Sequence, residues 1–400
     1  MSSSTSLRLA DRLQNVETSA IRELFKLLGK PGIISFAGGF PDPAMFDMDG
    51  IREATNQVLN GPNAGAVLQY GATEGWNPLR EALSLHMASK GIAARPDEII
   101  TTTGSQQALD LIGKTMINPG DKVIMEGPTF LATIQCFRLY GAQVVSAPID
   151  ADGVKVDVLE QLIIEHQPRF IYLIPTFGNP SGAMLTLARR KRVLELAVKY
   201  HVLVVEDDPY SELYFGKAPP PPSMMSLSKD VPGSREWLVY CGSFSKVLSP
   251  GLRVGWMIAP PALLANAVMC KQFSDAHTSN LTQAIAAQYL SLNRMDAALD
   301  VVRKTYAERA QTMADCLRKE LGDAVSFTAP QGGMFFWMRL TAPEADAAEF
   351  AKRAIEKMVA FVPGAPFYAT EPDRAALRLS FATADVAKIV EGVGRLGRAL

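Results

Sequence analysis

Through the middle of the chain, short runs that are apolar at nearly every position alternate with longer runs whose apolar residues recur at helical spacing. "DEIITTTG" leads into "SQQALDLIGKTMI". "DKVIME" leads into "TFLATIQCFRLYG", and "AQVVSAPI" follows. "RFIYLIP" precedes "TLARRKRVLELAVKYH", and "VLVVEDD", "EWLVYCG" and "RVGWMIAP" come after it. A strand buried on both faces reads as a continuous apolar run, so this alternation predicts an α/β fold whose sheet is mostly parallel, with helices on both sides. Asn77-Pro78 has the form of a helix cap followed by proline at the first helical position, and Gly91 fits just beyond that helix.

From about residue 290 the texture changes. "NRMDAALDVVRKTYAERAQTMADCLRKEL" is one long helical pattern. "AVSFTA", "GGMFFWMRL", a helix near 345–357, "VAFVPG", "ALRLSF" and a last helix follow it. This predicts a smaller α+β domain. The expected organisation is an N-terminal segment, 1–48, that joins the small domain; a large domain, 49–290; and the small domain, 291–400. The proline-rich "APPPPSMMS" at 218–226 is read as a surface excursion of the large domain.

Length and composition narrow the reading. A chain of 400 residues is too long for one simple core, and 48% apolar with 20% charged residues is globular composition. A formal net charge of −1 gives no argument for nucleic acid or an anionic membrane as partner. No apolar run reaches spanning length, and "MSSSTSLRLADRLQNVETS" lacks the apolar centre of a signal peptide, so residence in the cytoplasm is expected. Cys136, Cys241, Cys270 and Cys316 are scattered without a CxxC, which argues for reduced thiols rather than a disulfide frame or structural zinc.

Parallel sheets bind ligands beyond the carboxyl ends of their strands. Gly104, Ser105 and Gln106 follow "IITTT". Asn179, Pro180 and Ser181 follow "RFIYLIPTFG". Asp207, Asp208 and Tyr210 follow "VLVVE", and Ser243, Ser245 and Lys246 follow "WLVYCG". Each set taken singly is ordinary turn chemistry. Together they form a constellation: backbone N–H groups at a helix start that favour an anion, the donor fork of Arg253, a carboxylate after a buried strand, and a lysine between a strand and a Gly/Pro bend. Glu206, Asp207 and Asp208 could be read as a divalent metal site, but neighbours on a strand point to opposite faces and make a poor chelate. "GKT" at 113–115 lacks the leading glycine of a P-loop, since Ala108 stands there. "GVGRLG" at 392–397 lies in a helical pattern without a surrounding βαβ unit.

"GSFSKVLSPGLRVGW", "VVEDDPYSELYF", "PTFGNPSGAML", "TTTGSQQALDLI" and "LQYGATEGWNPLREAL" resemble, in order and spacing, the class I/II aminotransferases of fold type I, which use pyridoxal 5'-phosphate. "TSAIRELFKLLGKPGIISFAGGFPDPAMF" is similar to the α-aminoadipate/kynurenine aminotransferase-like subgroup. The resemblance implies that Lys246 carries the cofactor as a Schiff base. Ser105, Gln106, Ser243, Ser245 and Arg253 would surround its phosphate, and Asp207 would pair with the protonated pyridine nitrogen. Asn179 and Tyr210 would bond the ring's phenolic oxygen. Phe130 would stack on the ring where many relatives have tyrosine. Arg378 would grip the substrate α-carboxylate, with Gly39 leaving room for it. Tyr70 would reach the neighbouring subunit's phosphate, which implies a homodimer. Arg22 would meet an acidic substrate side chain.

The expected reaction moves the amino group of an L-amino acid to a 2-oxo acid, 2-oxoglutarate or pyruvate, by a ping-pong sequence. The alternatives are another reaction of the same cofactor, such as a β-lyase or decarboxylase, or a ligand-sensing regulatory domain. The substrate-region motifs begin by Arg22, so no winged helix is expected ahead of them, and the regulatory alternative is disfavoured.

Overall fold

A computed structural model describes residues 10–13 and 32–400. Its strands, in chain order, are β1 (Ile34–Ser35), β2 (Ile99–Thr102), β3 (Lys122–Gly127), β4 (Gln143–Asp150), β5 (Gly153–Val154), β6 (Phe170–Leu173), β7 (Leu203–Asp208), β8 (Leu238–Ser243) and β9 (Gly255–Ile258). They continue with β10 (Val325–Phe327), β11 (Phe335–Leu340), β12 (Val359–Ala360), β13 (Val362–Pro363) and β14 (Ala376–Ser380). Eight of them form the large sheet, in the order β2-β9-β8-β7-β6-β3-β4-β5. The run from β8 through β7, β6 and β3 to β4 is parallel, while β9 lies antiparallel to both its neighbours. Strands β2, β6, β7, β8 and β9 are buried at every position, which is why each reads as an unbroken run. Helices cover the sheet; Ser105–Met116, for example, packs on β8, β9 and the helix Pro261–Ser274.

The second sheet is antiparallel, in the order β10-β11-β14-β13. Strand β1 pairs in parallel with β12, and the Ser380 N–H donates to Phe36 O at 2.7 Å. The stretch leading to Gly39 is therefore tied to the C-terminal sheet that carries Arg378. The long helix Met295–Leu321 packs along Val386–Gly397, and one apolar cluster runs from the large sheet into the small one. "GKT" lies inside the helix Ser105–Met116, and "GVGRLG" inside Val386–Gly397, as their patterns indicate.

Two local expectations change. Asn77 is the first helical residue rather than the cap; Trp76 caps the helix, and its N–H donates to Gln283 Oε1 at 2.8 Å. The end of the proline-rich stretch is not surface: Met224, Met225 and Ser226 are buried in a short helix, Met224–Leu227. The cause is Glu206, whose buried carboxylate accepts from the Met224 and Met225 N–H groups at 2.8 and 2.9 Å and draws that helix onto the end of β7.

Beside it, Arg190 is fully buried. It donates to Leu185 O, Pro175 O and Thr176 Oγ1 at 2.8 Å each and to Pro222 O at 3.3 Å, and Glu206 lies 3.9 Å away. Glu126 accepts from the Ile174 N–H at 2.8 Å, and burial pushes its carboxyl up to about 8. These groups fix residues 174–176, the approach to Asn179. Removing the guanidinium strands several buried carbonyls and a carboxylate. Arg190→Ala should therefore destabilise the fold by about 3 kcal/mol or more, read as a lowered Tm and denaturation midpoint. Lys191→Ala, which breaks an exposed pair with Asp230, should cost at most about 1 kcal/mol.

Candidate active site

Ser105, Asn179, Asp207 and Lys246 follow the carboxyl ends of β2, β6, β7 and β8 respectively. The three acidic residues of β7 diverge. Glu206 turns to the Met224–Leu227 helix. Asp208 accepts from Tyr240 Oη at 2.9 Å and Ser211 Oγ at 2.8 Å. Asp207 accepts from Tyr172 Oη at 2.7 Å through Oδ2. Asp207 Oδ1 is buried and has no hydrogen-bond partner among the described residues. Burial is the largest influence on this carboxyl and lifts it to about 7; Asp208 adds to the rise and the Tyr172 bond opposes it.

Lys246 follows β8 and is half-buried, with Nζ donating to Gly39 O at 2.7 Å. Burial first, then the charges of Arg378 and Arg253, pull its amine down to about 8. It thus lies between two cations that mark different ends of the site. At one end Arg378 is buried on β14, its guanidinium 4.4 Å from the Phe335 ring centre and 5.0 Å from that of Phe367. It donates to Asn179 Oδ1 and to Ala37 O, both at 2.8 Å, while Nε is buried without a partner among the described residues. Burial lowers its pKa only to about 10, so it remains cationic. The Tyr210 phenol bonds the Asn179 side chain, and its pKa is raised, chiefly by burial. A Cβ at Gly39 would stand 3.6 Å from Phe335 Cζ and 3.7 Å from Arg378 Nη2, both ordinary contact distances.

At the other end Gly104 (φ +79°) caps the helix that begins at Ser105. A Cβ on Gly255 would lie 2.7 Å from Gly104 C and 2.8 Å from Ser105 N, so this close backbone approach requires glycine. Arg253 donates to Thr103 O at 3.0 Å, and Ser243 Oγ donates to Ser245 Oγ at 2.9 Å. Gln106 is exposed on the first turn, and Phe130 caps the helix Leu131–Leu139. Tyr70 is not gathered in: it is 84% exposed, with its ring edge-on to His277. Arg22 lies outside the described residues.

The family model for aminotransferase class I and II matches residues 37–396. The chain belongs to this family. It is 45% identical over 388 residues to a 2-aminoadipate transaminase of Thermus thermophilus, covering 96% of this chain and 94% of that one. Among solved structures, LysN, the alpha-aminoadipate aminotransferase of Thermus thermophilus, complexed with N-(5'-phosphopyridoxyl)-L-leucine, superposes with a TM-score of 0.90 at 42% identity over 98% of this chain and 97% of that one. A Pyrococcus horikoshii kynurenine aminotransferase in complex with PMP gives 0.92 at 37% identity over 98% and 96%. The aminotransferase is therefore of the α-aminoadipate/kynurenine aminotransferase-like subgroup and of fold type I, its cofactor is pyridoxal 5'-phosphate, and its reaction moves an amino group from an amino acid to a 2-oxo acid.

The residues present fit that cofactor. The unpartnered Asp207 oxygen suits a cationic ring nitrogen. The glycine-built helix start with Ser105, Ser243, Ser245 and Arg253 suits a phosphate, and a lysine amine with a lowered pKa suits an aldehyde. Several positioning residues escaped the sequence reading. Lys271 is fully buried, donating to Asp275 at 2.8 and 2.9 Å and to Gln107 Oε1 at 3.0 Å. Gln107 accepts from the Thr103 N–H and Asp275 from the Thr103 hydroxyl, so the network pins the residue before Gly104. Its signal was a lysine in the apolar "LLANAVMCKQF" with aspartate four residues on. Phe335 and Phe367 were hidden among ordinary core aromatics.

If Arg253 meets the phosphate, Arg253→Met should weaken binding of pyridoxal 5'-phosphate to the apoprotein by roughly tenfold or more, the size of a lost charged hydrogen bond. It should leave binding of pyridoxal, which lacks the phosphate, unchanged. Equilibrium dialysis with both compounds separates these outcomes.

Proposed function

We propose that this aminotransferase works on dicarboxylic amino acids such as 2-aminoadipate and glutamate, with 2-oxoglutarate as acceptor, in two half-reactions on one site. The observation that carries the residue assignment is the grouping around Asn179 and Tyr210. A buried carboxylate oxygen on Asp207 and the buried Arg378 Nε–H, both without a partner among the described residues, belong to groups that act on Tyr210, and the lysine amine with a lowered pKa feels the same guanidinium. The names of the relatives support the substrate class.

Bound, the cofactor supplies an electron sink for the negative charge left at the substrate Cα. The protein does the rest. Asp207 holds a positive charge on the ring nitrogen. Asn179 and Tyr210 bond the ring oxygen. Phe130 covers a ring face. Ser105, Gln106, Ser243, Ser245 and Arg253 hold the phosphate. Arg378 binds the α-carboxylate through Nε and its remaining terminal donors, since one donor of each terminal nitrogen is spent on Asn179 and Ala37. Lys246 moves the Cα proton: with a pKa near 8 a useful fraction of the amine is neutral at physiological pH, so the group serves first as base and then as acid. Arg22, by resemblance, meets the distal carboxylate.

We also infer a cytoplasmic homodimer in which Tyr70 completes the partner's site. Its near-complete exposure in the single chain, like that of Phe273 at 83% and the exposed Leu68, supports the homodimer. The division of the chain at residues 49 and 291 is kept as part of the same reading.

A substrate panel tests the activity. 2-Aminoadipate with 2-oxoglutarate should give glutamate and the matching oxo acid in equal amounts, with no ammonia or carbon dioxide. Either gas-forming product in place of glutamate would assign a lyase or decarboxylase instead. Arg22→Ala should lower kcat/KM for dicarboxylic substrates by roughly 10- to 150-fold and hardly touch leucine. Equal effects on both classes would remove Arg22 from the site. For the shared site, Tyr70→Phe and Lys246→Ala protomers are mixed and allowed to exchange. Activity should exceed the mean of the parent proteins, because the heterodimer has one site with both native residues; an unchanged mean would oppose a shared site.

A further inference from the structure

Tyr172 lies on β6, fully buried, one residue from the end of the strand. Its hydroxyl donates to Asp207 Oδ2 at 2.7 Å and accepts from Thr133 Oγ1 at 3.2 Å. A phenol has one proton to give, and the carboxylate receives it. Thr133 sits in the first turn of the helix that Phe130 caps, so three elements of the large domain meet in one hydrogen-bonded chain: Thr133 to Tyr172 to Asp207. The chain ends on the carboxylate whose other oxygen is bare.

We propose that Tyr172, backed by Thr133, is a positioning residue that fixes the Asp207 carboxylate by Oδ2, favours its ionised form, and so leaves Oδ1 to receive the cofactor's ring nitrogen. This rests on the reading of Asp207 given above. Without the phenol the side chain could rotate, and it would lose the one donor that offsets its burial. The other groups that bear on Asp207 cannot replace that donor. Asp208, its neighbour on β7, is a like charge already bonded to Tyr240 and Ser211. Cys241, opposite it on β8, is a buried thiol whose pKa is raised, by burial first and then by Asp207 itself. Tyr210 is engaged with Asn179. Glu126 acts on the Tyr172 phenol but forms its bond with the Ile174 N–H.

The sign of the pH effect follows. The Tyr172 bond favours the charged form of Asp207, so its loss raises the carboxyl pKa further. At neutral pH Asp207 then becomes mostly protonated and gives no charge to a cationic ring; at higher pH it ionises again.

The test uses the full chain without cofactor, labelled with 13C at aspartate carboxyls, and Asp207→Asn to assign the signal. In the unmodified protein Asp207 should titrate near 7. In Tyr172→Phe, which removes one oxygen and keeps the ring, the midpoint should rise by roughly one to two pH units, the equivalent of a charged hydrogen bond. The dissociation constant for pyridoxal 5'-phosphate should be roughly tenfold weaker or more at pH 7 and approach the unmodified value above the new midpoint. In an Asp207→Asn background the same substitution should change affinity little.

An unmoved Asp207 midpoint, or a loss of affinity equal at every pH, would overturn the proposal and leave Tyr172 a packing residue. If the midpoint moves as expected but cofactor affinity is unaffected at all pH values, and Asp207→Asn also leaves affinity unchanged, then the assignment of Asp207 to the ring is what fails. Should Tyr172→Phe not fold, Thr133→Val must shift the midpoint in the same direction by a smaller amount, and no shift there would also contradict the proposal.

Discussion

The carboxylate of Asp207 is held at the end of a central strand with 3% of the residue exposed, one oxygen bonded and the other without a partner among the described residues. An ionised group in that position costs several kcal/mol unless something cationic completes it. The protein alone meets the cost by letting the carboxyl titrate near neutrality. A protonated pyridine nitrogen meets it better, because it supplies both the charge and the hydrogen bond. In the proposed assignment, the contact that would keep the cofactor electron-withdrawing would also relieve the protein, and cofactor binding and fold stability would be linked quantities.

The cations are arranged under a related constraint. Arg378 beside Asn179 and Arg253 beside Thr103, proposed to hold one anionic group each, both act on Lys246. Their charges, added to burial, disfavour the ammonium. In the proposed reading, the lysine would become usable as nucleophile and base near physiological pH as a consequence of burial together with the groups assigned to phosphate and carboxylate. Arg378 tolerates its own burial because two aromatic faces and two hydrogen bonds replace its hydration.

Much of this was legible in the sequence because parallel sheets put function at a predictable place. Once "VLVVEDD", "RFIYLIP" and "EWLVYCG" read as buried strands, Asp207, Asn179 and Lys246 followed from being next in line. Strand alternation said only that Asp207 and Asp208 point to opposite faces, which appears as divergent partners, Tyr172 for one and Tyr240 with Ser211 for the other; the choice of Asp207 for the ring came from the family resemblance. What stayed hidden were contacts between elements far apart in sequence. Tyr172 looked like one more apolar residue in its run, although a buried phenol usually finds a partner. Lys271 was not singled out in the sequence, because its burial comes from helix packing. Tyr70 has its role, in the reading offered here, only against a second chain. The Met224–Leu227 helix was mistaken for surface because the buried Glu206 that anchors it is distant in sequence.

The account stands most directly on Lys246. Borohydride reduction of the protein with its cofactor bound, followed by peptide mass mapping, shows which side chain holds the pyridoxyl group. The expected result is one label per chain, on Lys246, with none on Lys271, the other lysine whose pKa is lowered chiefly by burial. A label on Lys271 or on a surface lysine, or no covalent label on a protein that retains its cofactor, would contradict the account.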